Sequence, residues 1–235
     1  MTELAEKIDV REKLINHNYK LSIGGQLEKS KNTFDVFNPA NNEVIAQAPE
    51  ADPDQMERAI SAAKLAFKTW SSLEWEVRSD YIHKFADALD ERREELATLL
   101  TLEQGKPLHT MAIEEVDAAI YWVREVAKRQ LEIEEIENTE DHIVEVHHTP
   151  LGVVGAITPW NFPVLLSLWK LAPCLVTGNT MILKPSPYTP LTSLYFGEIA
   201  CDIFPSGVFS VVSGGNELGQ QMTEHRDISK IGFTG

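Results

Sequence analysis

The sequence predicts an α/β fold, with a parallel sheet in its last third and a largely helical front. Three observations carry this. From Leu151 onward, short apolar runs alternate with longer segments of helical period. The runs are continuously apolar, as in strands buried on both faces. Glycine or proline marks the junctions, at Pro163, Gly178, Pro190, Gly207 and Gly214.

In chain order, residues 1–18 read as a polar, flexible start. Glu3, Glu6 and Asp9 interrupt its first ten residues, so no signal peptide is expected. Tyr19–Leu27 and Phe34–Ala48 read as strands, with turns at Gly24-Gly25 and at Asn38 to Asn42. Asp52 is a good N-cap, and Pro53 sits at the first helical position, where a missing N–H loses no bond. That helix runs to about Trp70, with Met56, Ile60, Ala63 and Phe67 on one face. One long helix is expected over about Glu76–Gln104, stopped by Gly105 and Pro107. A third covers about His109–Leu131.

Leu131–Glu145 holds seven acids and no Lys or Arg, yet Ile133, Ile136, Ile143, Val144 and Val146 are strand material. It reads as an acidic hairpin, either a solvated charged face or an arm that pairs with another subunit. Next come a strand at Leu151–Thr158, a helix at Pro163–Val176 and a buried strand at Thr180–Leu183. A helix at Pro190–Ile203, a Val-rich strand at Gly207–Val212, a helix at Asn216–His225 and a strand at Ile228–Phe233 follow. The β-α-β-α-β-α-β order predicts a parallel sheet with right-handed crossovers and ligands beyond the carboxyl ends of its strands. The expected organisation is thus 1–18 flexible, 19–130 strands and helices of the front, 131–150 hairpin, and 151–235 sheet core.

Composition narrows the function. The chain has 235 residues and a net charge of −15, which argues against nucleic acid because a phosphate backbone needs a basic surface. Residues 151–235 hold four Lys/Arg and five Asp/Glu, so −14 of that charge lies in residues 1–150. No apolar run reaches the roughly 20 residues of a membrane span. Two cysteines, Cys174 and Cys201, give neither a disulfide framework nor metal spacing, and suit a reducing cytoplasm. His147-His148 lacks a third ligand for a metal.

Three strand ends carry suggestive residues: Thr158-Pro-Trp-Asn-Phe-Pro163, Lys184-Pro-Ser-Pro187 and Ser213-Gly-Gly-Asn-Glu-Leu-Gly219. A nucleotide site is the natural hypothesis, although neither G-x-G-x-x-G after the first strand nor a P-loop is present. Pro150-Leu-Gly-Val-Val-Gly-Ala-Ile-Thr-Pro-Trp-Asn-Phe-Pro163 resembles a signature of the NAD(P)-dependent aldehyde dehydrogenase family. Gly178-Asn-Thr-Met-Ile-Leu-Lys-Pro-Ser-Pro187 does likewise. So do Phe37-Asn-Pro39, Trp70, Arg78, Glu103-Gln-Gly-Lys-Pro107 and Phe233-Thr-Gly235.

The resemblance implies a Rossmann-like coenzyme domain with a helical N-terminal segment, a protruding oligomerisation hairpin, and NAD or NADP as coenzyme. By the same mapping Asn161 donates its side-chain amide to the oxyanion, with a helix N-cap as its other reading. Lys184 bonds the adenosine ribose, with Ser186 near it. Ile157, Thr158, Pro159 and Trp160 form the cleft wall. Gly214 and Gly219 lie near the adenine, and Phe233, Thr234 and Gly235 begin the loop that meets the nicotinamide. Phe162, Leu166 and Trp169 match the aldehyde tunnel, although their spacing alone also suits helix core. Lys170 matches a family lysine with no role derivable from sequence. Pro187 stands where many NAD-preferring members carry a Glu, so NADP is not excluded.

The family's cysteine nucleophile and Glu-Leu-Gly-Gly base are absent, and both cysteines fall at small or apolar helix positions. The expectation is a truncated chain covering the coenzyme half, without a catalytic domain and inactive alone. The expected partners are an aldehyde substrate at the level of the family, and a homo-oligomer or a complementing second half. The competing readings are a non-catalytic dinucleotide-binding or subunit-interaction module, and a relic that folds poorly.

Overall fold

The computed structural model describes residues 10–235. Of the expected flexible start, residues 1–9 lie outside the described residues. Residues 10–15 are helical (α1), and Leu14 is buried there while the Tyr19 hydroxyl donates to its carbonyl at 2.9 Å.

The first hairpin, β1 (Leu21–Ile23) and β2 (Gln26–Glu28), turns on Gly24 and Gly25, both at positive φ. The second, β3 (Asn32–Phe37) and β4 (Val44–Glu50), turns where the Asn38 side chain accepts from the Ala40 N–H at 2.9 Å. Helix α2 (Pro53–Trp70) begins with a capping box: Asp52 accepts from the Gln55 N–H, and the Gln55 side chain accepts in return from the Asp52 N–H.

The expected single helix over Glu76–Gln104 is two, α3 (Trp75–Asp90) and α4 (Arg93–Gln104). Arg92 leaves helical geometry between them, at φ −111° and ψ 19°. Leu89 and Leu96, both buried, are seven residues apart, so the apolar stripe stays in phase across the break and hides it from a periodicity reading. Gly105 ends α4 in the left-handed region at φ 89°, with Pro39 packed where a Cβ would stand. The next segment opens with a wide π-type turn, Leu108–Ala112, and continues as α5 (Ile113–Ala127).

The acidic stretch is a hairpin, β5 (Glu134–Asn138) and β6 (Ile143–Val146), exposed at every position. Beyond it come β7 (Val153–Ile157), α6 (Pro163–Val176), β8 (Thr180–Lys184) and α7 (Leu191–Cys201). The chain continues through β9 (Phe209–Val211), α8 (Asn216–Glu224) and β10 (Ile228–Phe233). The main sheet has the order β10-β7-β8-β9-β1-β2. Its first four strands are parallel and in Rossmann order. The β1–β2 hairpin adds antiparallel to β9, so the front of the chain completes the sheet and makes it mixed.

Helices α2 and α8 pack on one face, and α6 and α7 on the other, with α3, α4 and α5 outside these two. The front also grips the C-terminal end of α6. Trp70 Nε1 donates to the Leu175 carbonyl at 3.0 Å and Arg78 Nε to the Val176 carbonyl at 2.8 Å. These bonds satisfy carbonyls that a helix end leaves without intrahelical partners. Among the described residues no helix is long and apolar enough to cross a membrane.

Candidate functional site

In an open α/β sheet, ligands bind beyond the carboxyl ends of the strands, where the strand order reverses. Here that point lies between β7 and β10. Phe233 pairs with Ile157, and Ile157 with Lys184, so these three residues form one row across the strand ends. The row continues into the loops: the Thr234 N–H donates to the Ile157 carbonyl at 3.1 Å, and the Thr158 N–H to the Lys184 carbonyl at 3.2 Å. Thr158 is buried and its hydroxyl meets Ser167 at 3.2 Å.

Lys184 is only 4% exposed, yet among the described residues its ammonium has neither an ion-pair partner nor a hydrogen-bond acceptor. Burial lowers its pKa by disfavouring the charged form. Helix α8 approaches the lysine's aliphatic tail at Gly219, whose open Cβ position lies 3.6 Å from Cε. Gly214 sits in the loop that leads into α8, where an added Cβ would come 2.9 Å from the Leu218 side chain. Ser186 is nearly buried, and its hydroxyl accepts from the Tyr188 N–H at 3.3 Å, shaping the turn after β8. Trp160 and Pro187 line one cleft of about 430 Å³, together with Glu103 and Tyr188. A larger cleft of about 690 Å³ lies elsewhere, among Arg11, Glu94, Leu102, Gly105 and His109, and includes none of the strand-end residues.

Helix α6 turns Val164, Leu168, Leu171 and Leu175 into the core. Its other side presents Phe162, 38% exposed, and Trp169, 47% exposed, with Leu166 half-buried. The three are therefore not core packing. Trp169 meets Trp122 of α5 edge to face, with ring centroids 5.3 Å apart. Asn161 is exposed, and its side-chain amide has no hydrogen bond among the described residues. Nor does it cap α6: the residue in the cap position is Phe162, which makes no side-chain cap bond. The cap reading of Asn161 is thus replaced.

Another residue does the capping. Glu115, on α5, accepts from the N–H groups of Val164 at 3.0 Å and Leu165 at 3.1 Å, and pairs with Lys106. Lys106 also donates to the Asn161 carbonyl at 2.6 Å. Glu103 likewise caps α7, through the Leu191 and Thr192 N–H groups. In the sequence Glu103 and Lys106 stand only as part of a family-like motif, and Glu115 stands outside any motif. Its one local signal was an acid on the apolar stripe, four residues before Ala119 and three after Ala112. Lys170 donates to the Thr234 hydroxyl at 2.6 Å, tying α6 to the loop after β10, and burial lowers its pKa.

Neither thiol faces this site. Cys174 is buried, and its Sγ lies 3.7 Å from the Thr180 carbonyl, at the opposite end of β8 from Lys184. Burial pushes its pKa up. Cys201, at an apolar helix position in the sequence, is half-buried at the far end of α7, and burial and nearby acids push its pKa up to about 11.

Known proteins resemble this arrangement closely. Residues 27–235 match the profile of the aldehyde dehydrogenase family. Aldehyde dehydrogenase LUC3 from a Fusarium species is 40% identical over 213 residues, covering 91% of this chain and 45% of the relative. A betaine aldehyde dehydrogenase from Staphylococcus aureus, solved in complex with NAD+, superposes with a TM-score of 0.90 at 34% identity, over 95% of this chain and 46% of that one. An NAD+ complex of an aldehyde dehydrogenase from Bacillus cereus gives a TM-score of 0.91 at 35% identity, over 95% and 47%. The chain spans about half the length of the relatives it matches. With a Rossmann-like sheet, a matching helical front and a sequence match over most of its length, this chain belongs to the aldehyde dehydrogenase family.

Proposed function

We propose that this chain is the coenzyme-binding half of an oxidoreductase that converts an aldehyde to a carboxylic acid with NAD or NADP. The observation that carries the reading is the row Phe233–Ile157–Lys184, at whose end the mostly buried Lys184 has neither an ion pair nor a hydrogen-bond acceptor among the described residues. Burial weakens the hydration of its ammonium, and a ribose hydroxyl supplies an acceptor. The residues fit the coenzyme. Lys184 and Ser186 take the adenosine ribose, and Gly214 and Gly219 leave room beside it. Ile157, Thr158, Pro159 and Trp160 form the wall, and Phe233, Thr234 and Gly235 lead toward the nicotinamide. Pro187 offers no carboxylate to repel a 2′-phosphate, so either coenzyme is accommodated. When bound, the coenzyme accepts the hydride.

Asn161 points a free amide into solvent beside this row and serves as an oxyanion donor. Donors of this kind are worth roughly 3–4 kcal/mol when aimed at developing negative charge. Phe162, Leu166 and Trp169 supply apolar wall for the aldehyde. Cys174 and Cys201 are unsuited as nucleophiles, because burial raises their pKa values and they sit away from Asn161. The nucleophile and the base therefore come from residues outside this sequence, and residues 1–235 alone do not turn over aldehydes. Two free thiols suit a reducing cytoplasm.

The hairpin favours a role in assembly as well. Ile133, Ile136 and Ile143 are 57–60% exposed, and Glu135 stands directly opposite Glu145. An isolated two-stranded ribbon is marginal, and facing like charges weaken it further. A second copy of the chain or a complementing half covers it. If that role is the whole function, the chain is an interaction module without coenzyme.

Calorimetric titration of the chain with NAD+ and NADP+ tests the main reading. Binding is expected, about tenfold weaker in Lys184→Ala for a lost charged hydrogen bond. Equal affinity in both forms rejects the lysine's role, and no binding of either coenzyme rejects the coenzyme reading.

A further inference from the structure

Helix α4 stops at Gly105, whose left-handed backbone turns the chain inward and buries Lys106, which is 7% exposed. The ammonium meets three groups. One is the fully buried Glu115 carboxylate. The second is the Asn161 carbonyl at 2.6 Å. The third is the face of the Phe162 ring, 3.5 Å from its centroid. Glu115 in turn holds the first two free N–H groups of α6, those of Val164 and Leu165. The pair therefore grips, from below, every residue between Asn161 and Leu165 except Pro163, whose ring already restricts the backbone.

The grip explains a feature of Asn161. Its side-chain amide has no partner among the described residues, so nothing attached to the amide itself sets its direction. Only its backbone is held, and the holding group is Lys106. A donor acts on an oxyanion only when it is already aimed before charge develops. Because its contacts are filled by these three groups, Lys106 is spent inside the protein rather than offered to a ligand.

We propose that Lys106, backed by Glu115, is a positioning residue that aims the Asn161 amide and orients the Phe162 wall of the aldehyde site. This rests on the reading of Asn161 as oxyanion donor. The N-terminal helices thereby act on the reacting end of the site as well as completing the fold.

Nuclear magnetic resonance on the isotope-labelled chain, without coenzyme, tests this. In Lys106→Met the Asn161 side-chain amide pair and the Phe162 backbone signal are expected to shift or broaden. The Asn179 signals should stay in place, because Asn179 is held separately by the Leu151 and Gly152 N–H groups. Lys106→Arg, which keeps the charge and can stack on Phe162, should restore the parent pattern. Unmoved Asn161 signals overturn the proposal, as does a general shift that includes Asn179 or a failure of arginine to restore.

Should Lys106→Met not fold, the unmodified chain decides. Slow exchange of the Lys106 ammonium with water, and proximity signals between its terminal methylene and the Phe162 ring, support the grip. A freely exchanging ammonium without ring contact rejects it. The coenzyme titration is a separate measurement, so failure of the coenzyme reading and failure of this one are distinguishable.

Discussion

Both the backbone N–H and the hydroxyl of Thr192 donate to the Glu103 carboxylate, from 3.0 and 2.5 Å. With the Leu191 N–H at 2.7 Å, three donors surround a fully buried acid at the start of α7. Burial nonetheless outweighs them and pushes its pKa up to about 7. An acid raised in the folded state stays protonated there while its unfolded counterpart ionises. Between about pH 4.5 and 7 the native state binds more protons, so stability falls as pH rises, and levels off above 7. The loss is on the order of 3 kcal/mol. Urea unfolding across this range should show the slope, and Glu103→Gln should flatten it. An unchanged slope in that variant rejects the assignment.

Trp70→Phe should destabilise the chain by about 1 kcal/mol, since it removes one of the two hydrogen bonds to the Leu175 carbonyl, leaving that from the Gly178 N–H. For a chain of this size each kcal/mol lowers Tm by about 2–4 °C, which differential scanning calorimetry resolves. An unchanged Tm means that water or another group satisfies the carbonyl.

The two thiols should be dispensable for any coenzyme-linked chemistry. No aldehyde oxidation is expected from the chain, measured by nicotinamide absorbance. If turnover appears and survives Cys174→Ala combined with Cys201→Ala, the chain holds a nucleophile other than cysteine. If turnover appears and disappears in the double variant, one of these thiols is active despite its burial.

Ile136→Lys with Val144→Lys should leave the fold of the monomer intact, because both side chains are exposed and touch none of the core. Sedimentation velocity should show loss of self-association if the hairpin pairs copies of this chain. Self-association that is indifferent to these changes places the interface elsewhere.

Much of this fold was legible in local sequence. The bounds of α6, Pro163–Val176, and of β10, Ile228–Phe233, agree with the reading from apolar runs and proline. The Asp52 cap is likewise a local matter, since both halves of its capping box lie within four residues. The motifs around Asn161 and Lys184 lie at the carboxyl ends of β7 and β8, because each follows its strand directly in sequence.

What only tertiary structure decided involves residues far apart in the chain. The addition of β1–β2 to the far edge of the sheet pairs Ser22 with Val211, and no local pattern specifies which edge a short hairpin joins. The break at Arg92 is invisible to periodicity because the apolar stripe continues through it. Glu115 and Lys106 read as ordinary charges until α5 packs on α6 and closes water away from them. A charge shows its role through its burial and partners, and these exist only once the helices have met. The chain's family and element order are therefore written in its sequence, while the gripping of Asn161 from beneath is a product of packing.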